Sequence, residues 1–214
     1  MGNFRFSLRI FTLLILINFI LTGCTIIVQK GRRVDVESIS KLKGEVSNLE
    51  KAKLELENKL RKEIGDKEVT VEMLERGLVI TFVAEVLFDS GKANLRESSL
   101  EKLSKVSQVL KTTVRDLSIG IDGHTDNEPI KYSAWKWKSN WELSVARALS
   151  VLHYMSDVQQ IEPVRLSVSG FSQYRPVVSN DTKEGREKNR RVEIVILPKA
   201  VTDTNSGLLE GSLK

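Results

Sequence analysis

One acidic and one basic side chain in the middle of the chain are spaced as a ligand-binding pair. Asp126 follows an alternating run, Leu117, Ile119 and Ile121, that predicts a strand. Arg147 lies about two turns into the helix predicted to come next. A carboxylate can hold an ammonium group, and a guanidinium fork can hold a carboxylate. The pair therefore fits a zwitterionic ligand, and it fits equally well an internal salt bridge between loop and helix.

The helix that carries Arg147 is predicted to begin near Ser139, with Glu142 completing a capping box. One face of this helix would then carry Asn140, Ser144, Arg147 and Val151. The other face would carry an apolar stripe that packs on a sheet: Val145, Ala148, Leu149 and Leu152. This arrangement turns Arg147 toward the loop that bears Asp126.

Hydrophobic periodicity predicts the remaining elements of the globular part. The predicted strands cover residues 69–73, 78–83, 117–121, 165–169 and 192–197, and the predicted helices cover 98–111 and 139–156. Ser98 and Glu101 offer a capping box for the first helix. Strands that alternate with helices predict a sheet with parallel neighbours and helices on one face. The loop with Asp126 leaves the C-terminal end of a strand, where such sheets tend to bind ligands.

The N-terminus has the features of a lipoprotein signal peptide over residues 1–23. Arg5 and Arg9 precede an apolar run from Ile10, and Leu21-Thr22-Gly23-Cys24 has the form of a lipobox. Cys24 is the only cysteine, so it cannot form an internal disulfide, and lipidation accounts for it. Thr25 rather than an acid follows it, which by resemblance to lipoprotein sorting indicates an outer-membrane lipoprotein with its domain in the periplasm.

An uncleaved membrane anchor is the alternative for the same segment. Residues 11–28 carry no charge and are just long enough to span a bilayer as a single transmembrane helix of the inner membrane. Both interpretations predict an exported chain tethered to a membrane.

A helical spacer is predicted between the anchor and the globular part, over residues 24–68. Within 34–64, apolar residues follow heptad spacing, with Lys53 at one position of the pattern: Ile39, Leu42, Val46, Leu49, Leu56 and Leu60. This stripe fits a coiled coil that forms a homodimer, and it fits equally a solvated helix without a partner. The tail, residues 200–214, is polar and small and is predicted to be disordered.

Charge and composition exclude several classes of function. Removal of residues 1–23 takes away two arginines and lowers the net charge from +5 to +3, an excess too small to argue for nucleic acid. The two histidines lie far apart in sequence and the only thiol is assigned to the lipid, so the sequence predicts no metal and no cofactor. His124, Asp126 and Ser144 superficially match a catalytic triad, but no glycine-rich elbow surrounds Ser144, and we expect no enzyme.

Four ordered motifs resemble a known family over residues 69–199. They are LFDSGKANL (87–95), GHTDNEPI (123–130), the pattern NxxLSxxRAxxV (140–151), and a run from Gly170-Phe171 through Arg175-Pro176 to GREKNRRVEI (185–194). Together they resemble the C-terminal peptidoglycan-binding domain of the OmpA family. The residues of the motifs are most similar to those of its MotB-like branch. The resemblance implies an α+β fold, a two-layer sandwich in which helices pack on one face of a mixed sheet.

The resemblance also implies a ligand and the residues that hold it. Asp126 matches the acid that binds the ammonium of meso-diaminopimelate in the peptidoglycan stem peptide, and Arg147 matches the arginine that pairs with its carboxylate. Further positions that line this pocket in the family are Thr125, Asn140, Arg190, Asp89 and Ser90. Which of Arg190 and Arg191 points inward stays open. A long loop adds Tyr132, Trp135 and Trp137, which fit stacking on glycan sugars or packing against the domain.

A MotB-like motor component is the alternative function that the resemblance implies. Ion transport through a membrane segment requires an ionisable group within that segment. None occurs between Ile10 and Val28, where Asn18 is the only strongly polar side chain. The likeness to MotB therefore concerns the wall-binding domain.

Overall fold

The computed structural model describes residues 36, 39–131 and 133–198. The chain divides into two compact units, Met1–Gly44 and Glu45–Lys214. In the first unit the described residues are helical. No helix within the described ranges is both long and apolar enough to cross a membrane. The predictions for residues 1–23, Cys24 and the tail 200–214 concern residues outside these ranges.

The second unit is built on a five-stranded mixed sheet. Its strands are β1 (Val69–Leu74), β2 (Gly77–Val83), β3 (Ser118–His124), β4 (Leu166–Gly170) and β5 (Arg191–Leu197), in the order β1-β2-β5-β3-β4. β3 and β4 are parallel, and the other neighbours are antiparallel. The predicted α+β class is confirmed. Parallel pairing is limited to β3 and β4 because β5 returns between β2 and β3.

The helices of this unit are α1 (45–59), α2 (Arg61–Gly65), α3 (Ala84–Leu87), α4 (Glu97–Thr112), α5 (Asn140–His153) and α6 (Lys183–Asn189). A short π-helix, Tyr154–Val158, continues α5, and a 3-10 turn, Pro163–Arg165, precedes β4. α5 begins as predicted, because Ser139 accepts a hydrogen bond from Trp141 N at 3.2 Å and also bonds the Glu142 carboxylate. The capping box predicted for α4 is wrong. Arg96 is its N-cap residue, without a side-chain cap.

The hydrophobic core lies between one face of the sheet and the helices. Alternate residues of the central strands, such as Ile80, Ile121 and Ile194, point into it. Apolar residues of α4, including Leu103 and Val106, fill it from the helical side. Leu49, Ala52, Leu56 and Leu60 also belong to this core. The core therefore extends N-terminal to Val69, into the segment predicted as a spacer.

The face of α5 that packs on the sheet contains only part of the predicted stripe, because Ala148 is buried and Leu152 packs against the core, whereas Val145 and Leu149 do not. Its buried residues are Leu143, Ser144, Arg147, Ala148 and Val151. Val145 and Leu149, predicted for the core stripe, are each 41% exposed. The reason is the close approach of α5 to Gly123 of β3, where a Cβ atom would lie 2.0 Å from the Ser144 carbonyl oxygen. Such an approach requires small residues at the point of contact, as Gly123 and Ser144 are.

Candidate functional site

A pocket of about 290 Å³ opens where β3 ends, between the loop after β3, the segment around α3, and α5. All the residues predicted for ligand binding line it: Asp89, Ser90, Thr125, Asp126, Asn140, Arg147 and Arg190. Its other charged side chains are Glu85, Glu128 and Lys131. The fold thus brings together residues from positions 85 to 190, with both signs of charge.

Asp126 is bound by Arg190. Arg190 Nη1 donates to Asp126 Oδ2 at 2.6 Å, and Arg190 Nε donates to Glu85 Oε1 at 2.5 Å. Burial lowers the pKa of Arg190, but the hydrogen bonds with these two carboxylates outweigh it, so the pKa lies above its usual value. Asp126 Oδ1 accepts a hydrogen bond from Glu128 N at 3.1 Å. The acid is therefore held in place before any ligand arrives.

Arg147 makes no ion pair within the described ranges, so the internal Asp126–Arg147 salt bridge is not formed. Its side chain is only 5% exposed. Its Nε donates to the Lys92 carbonyl oxygen at 3.0 Å, and its guanidinium lies 5.2 Å from the Phe88 ring centre. Burial lowers the pKa of Arg147 to about 10. Its terminal nitrogens make no hydrogen bond to any described residue and remain available to an anionic group in the pocket.

Thr125 and Asn140 shape the loop after β3. Asn140 Nδ2 donates to the carbonyl oxygens of Glu128, at 3.0 Å, and Asp126, at 3.3 Å. Thr125 Oγ1 donates to the same Asp126 carbonyl at 2.9 Å. These side chains satisfy backbone acceptors and so fix the direction in which the Asp126 carboxylate points.

Asp89 and Ser90 lie at the exposed rim of the pocket. Asp89 pairs with Lys92 at 3.1 Å and with Arg96 at 3.7 Å. An exposed carboxylate of this kind contributes less to binding than a buried one, because water screens its charge.

Two structural features of the site were not predicted. Glu85 belongs to the short helix α3, directly after β2, and the strand-like pattern up to Val83 gave no signal for such a turn. The structure also shows which of the two adjacent arginines, Arg190 or Arg191, points into the pocket. Arg190 reaches the pocket, whereas Arg191 lies on β5 and donates from Nε to Glu193 Oε1 at 2.6 Å.

The aromatic loop is only partly engaged with the pocket. Trp137 packs against the domain, because its Nε1 donates to the Gly91 carbonyl at 2.9 Å and Lys136 lies over its ring. Trp135 is 86% exposed. Tyr132 lies outside the described residues.

His124, Asp126 and Ser144 do not form a triad. His124 points to the face of the sheet opposite the core, 3.7 Å from Glu193. Ser144 Oγ donates to the Trp141 carbonyl and accepts from Ser172 N. Burial, with help from nearby arginines, lowers the pKa of His124 to about 3.

The cluster around His124 is a network of arginines and carboxylates. Potential ligand atoms of Asp122, His124 and Glu193 lie within 4.8 Å of one another. Arg76 bonds both carboxylates, and Arg191 bonds Glu193. Burial raises the pKa of Asp122, and Arg76 opposes this shift. The charges of the two acids are compensated from within the chain.

The pocket therefore offers a fixed, buried cation on one side and carboxylates on the other, on the mixed sheet of an α+β domain. Residues 87–190 match the OmpA family. Motility protein B of Bacillus subtilis is 38% identical over 157 residues, which cover 73% of this chain and 59% of that protein. The protein YtxE of the same organism is 33% identical over 181 residues, 81% of this chain and 73% of its own length. The chain belongs to the OmpA family.

A solved structure agrees with this assignment. The cell wall anchor of the T6SS from Pseudomonas aeruginosa superposes with a TM-score of 0.60 at 32% identity, over 66% of this chain and 96% of that one.

Proposed function

We propose that this chain is a non-catalytic peptidoglycan-binding protein that anchors a membrane to the cell wall through the diaminopimelate of the stem peptide. The observation that carries the proposal is the buried Arg147, whose terminal nitrogens face the pocket without an acidic partner among the described residues. A carboxylate bound there would compensate a buried charge, which is worth more than pairing at an exposed site. The Pseudomonas relative, a cell wall anchor, supports the same function.

The acidic side of the pocket fits the ammonium of the same ligand. Asp126 and Glu85 share Arg190, so their two carboxylates face one guanidinium. This leaves carboxylate oxygens in the pocket that can accept from an ammonium. A zwitterionic side-chain terminus such as that of diaminopimelate matches both halves of the pocket.

The proposal is tested by pelleting the purified full chain, in detergent, with insoluble sacculi. Arg147→Ala should weaken binding by about tenfold to a hundredfold, because it removes a charge-assisted, forked contact. Arg147→Lys should bind sacculi more weakly than the wild type and more tightly than Arg147→Ala, since lysine keeps the charge and loses the forked geometry of the guanidinium. Free meso-diaminopimelate should release the wild-type chain.

The matched control is Arg115→Ala, which removes an exposed arginine that pairs with the neighbouring Asp116. It should pellet like the wild type. If Arg147→Ala pellets as well as Arg115→Ala does, Arg147 does not hold the ligand and the proposal is wrong.

For the tether, we propose an outer-membrane lipoprotein attached through lipid on Cys24, with the domain in the periplasm. The lipobox and the lone cysteine support it. The second candidate is a MotB-like component of a motor, held by an uncleaved transmembrane helix. The 38% identity to Motility protein B favours this candidate, while the lack of an acidic residue between Ile10 and Val28 weighs against it.

A further inference from the structure

Two exposed aromatic rings stack on each other beside the candidate pocket. Trp141, in the first turn of α5, and Tyr174, in the loop after β4, have ring centres 5.3 Å apart and planes inclined by 27°. The two side chains remain 46% and 66% exposed. Rings of this size contribute most when their apolar area leaves water. Contiguous exposed apolar surface marks candidate binding sites, whereas single exposed apolar side chains are common on any protein.

The exposure of this pair follows from how α5 packs. Trp141 and Val145 lie one turn apart on the same side of α5, at the margin of its buried face, and both stay partly exposed. Val145 lies against Gly170, where β4 ends. The aromatic pair therefore continues an apolar strip at the end of α5 nearest the pocket.

The loop that carries Tyr174 is fixed by hydrogen bonds to β3 and α5, the elements that also carry residues of the site. Phe171 N donates to the Gly123 carbonyl at 2.9 Å, and Ser172 N donates to Ser144 Oγ at 3.2 Å. The Arg175 guanidinium lies 3.8 Å from the centre of the Phe171 ring. A ligand that stacks on this pair would not have to order the loop first, which favours affinity.

The pair and the pocket lie at the same edge of the sheet. The parallel strands β3 and β4 both end there, and Thr125 N donates to the Ser172 carbonyl at 2.9 Å across the two loops. Asn140 lines the pocket, while the next residue, Trp141, contacts Tyr174. A polymer with one side group in the pocket would therefore have neighbouring units within reach of the rings.

We propose that Trp141 and Tyr174 form a glycan subsite that stacks on a sugar ring of the polymer whose stem peptide enters the pocket. This inference rests on the proposed function. The C–H face of a pyranose ring complements the negative face of an aromatic ring. The hydroxyl and amide groups of the sugar would meet polar side chains at the start of α5, Ser139 and Glu142. Trp135, by contrast, is exposed but stacks on no other ring among the described residues.

The test compares two soluble probes on the full chain in detergent by calorimetry. One is the tripeptide L-Ala–D-Glu–meso-diaminopimelate, and the other is the same peptide on the disaccharide N-acetylglucosamine–N-acetylmuramic acid. The wild-type chain should bind the disaccharide-peptide about threefold to tenfold more tightly, the gain expected from one ring stack. Trp141→Ala and Tyr174→Leu should abolish this gain and leave the affinity for the tripeptide within about twofold.

Two controls separate stacking from a general loss of structure. Tyr174→Phe keeps the ring and should keep the gain, and Trp135→Ala should keep it because Trp135 lies outside the stack. Equal binding of both probes by the wild type, or a gain that survives Trp141→Ala, would overturn the subsite while the peptide pocket stands. Failure to bind either probe would overturn the proposed function and the subsite with it.

A second copy of the chain is the competing occupant of this surface. Sedimentation velocity of the same variants decides between the two. If Trp141→Ala converts an oligomer to a monomer and the disaccharide gain persists, the pair is an interface between copies and the glycan subsite is wrong.

Discussion

Charge compensation distinguishes the two side chains first singled out by their spacing. Asp126 obtains its partner within the chain, from Arg190, and is therefore positioned without a ligand. Arg147 is equally buried but is bonded only through Nε to a carbonyl oxygen within the described part of the chain. Burying a charge without a counter-charge costs stability, and such a cost is commonly retained where a ligand supplies the missing charge.

At this same scale, the buried His124 should make stability depend on pH. Its pKa is about 3 in the folded chain and about 6.5 when unfolded, so only the unfolded state takes up the proton between these values. Protonation therefore favours unfolding, and stability should fall as pH drops below about 6.5, by about 1.4 kcal/mol per pH unit.

Urea unfolding of the wild type and His124→Gln at pH 7 and pH 4.5 measures this effect. The variant should lose less stability over that interval, because its side chain does not titrate. Equal losses, or an NMR titration of His124 with a midpoint near 6.5, would contradict the prediction.

At the scale of elements, α5 depends on a glycine in the strand beneath it. Gly123→Ala places a Cβ atom 2.0 Å from the Ser144 carbonyl oxygen, so the helix must move. We expect a loss of about 1–3 kcal/mol in the free energy of unfolding. Sacculus binding should also weaken, because Arg147 lies on the displaced helix. Gly65→Ala is the control, since its Cβ would meet nothing within 4 Å, and chemical denaturation compares the two.

A second element, α1, belongs energetically to the globular unit. Leu56 is fully buried in the common core, whereas Leu54 on the same helix is exposed. Leu56→Ala should therefore lower the free energy of unfolding by about 2–5 kcal/mol. Leu54→Ala should change it by less than about 0.5 kcal/mol.

Thermal unfolding of both variants distinguishes a docked helix from a free spacer. Similar small effects at the two positions would show that α1 is not part of the cooperative unit. A fragment that begins at Val69 lacks this helix and should unfold at a lower temperature than one that begins at Glu45.

For the whole molecule, the decisive question is how the domain is tethered. On the proposed lipid attachment, Cys24→Ser should abolish labelling by a palmitate analogue and leave the signal segment uncleaved, because it removes the thiol that the processing steps would require. Mass spectrometry of the mature N-terminus and membrane fractionation measure both effects. An N-terminal segment that stays intact in the wild-type chain would instead support the transmembrane alternative.

The sequence by itself determined the class of the fold and seven of the residues that line the pocket, but not Glu85. Strand and helix periods depend on local spacing, so β1, β2 and β5 and the start of α5 at Ser139 were predictable. The pocket residues were found because the family motifs are continuous in sequence, and the structure brings them together around one pocket.

Tertiary structure alone decided which partner each side chain takes. Periodicity assigned α5 an apolar face and a polar face, whereas the close approach at Gly123 buries residues of both, among them Ser144, Arg147 and Ala148. Arg190 rather than Arg147 bonds Asp126 because Arg190, which directly precedes β5, is brought to the pocket from 64 positions away. The heptad stripe of α1 could not reveal whether a second copy or its own domain covers it. The structure shows that the domain core covers Leu56. The sequence could not show this, because burial depends on contacts distant in sequence.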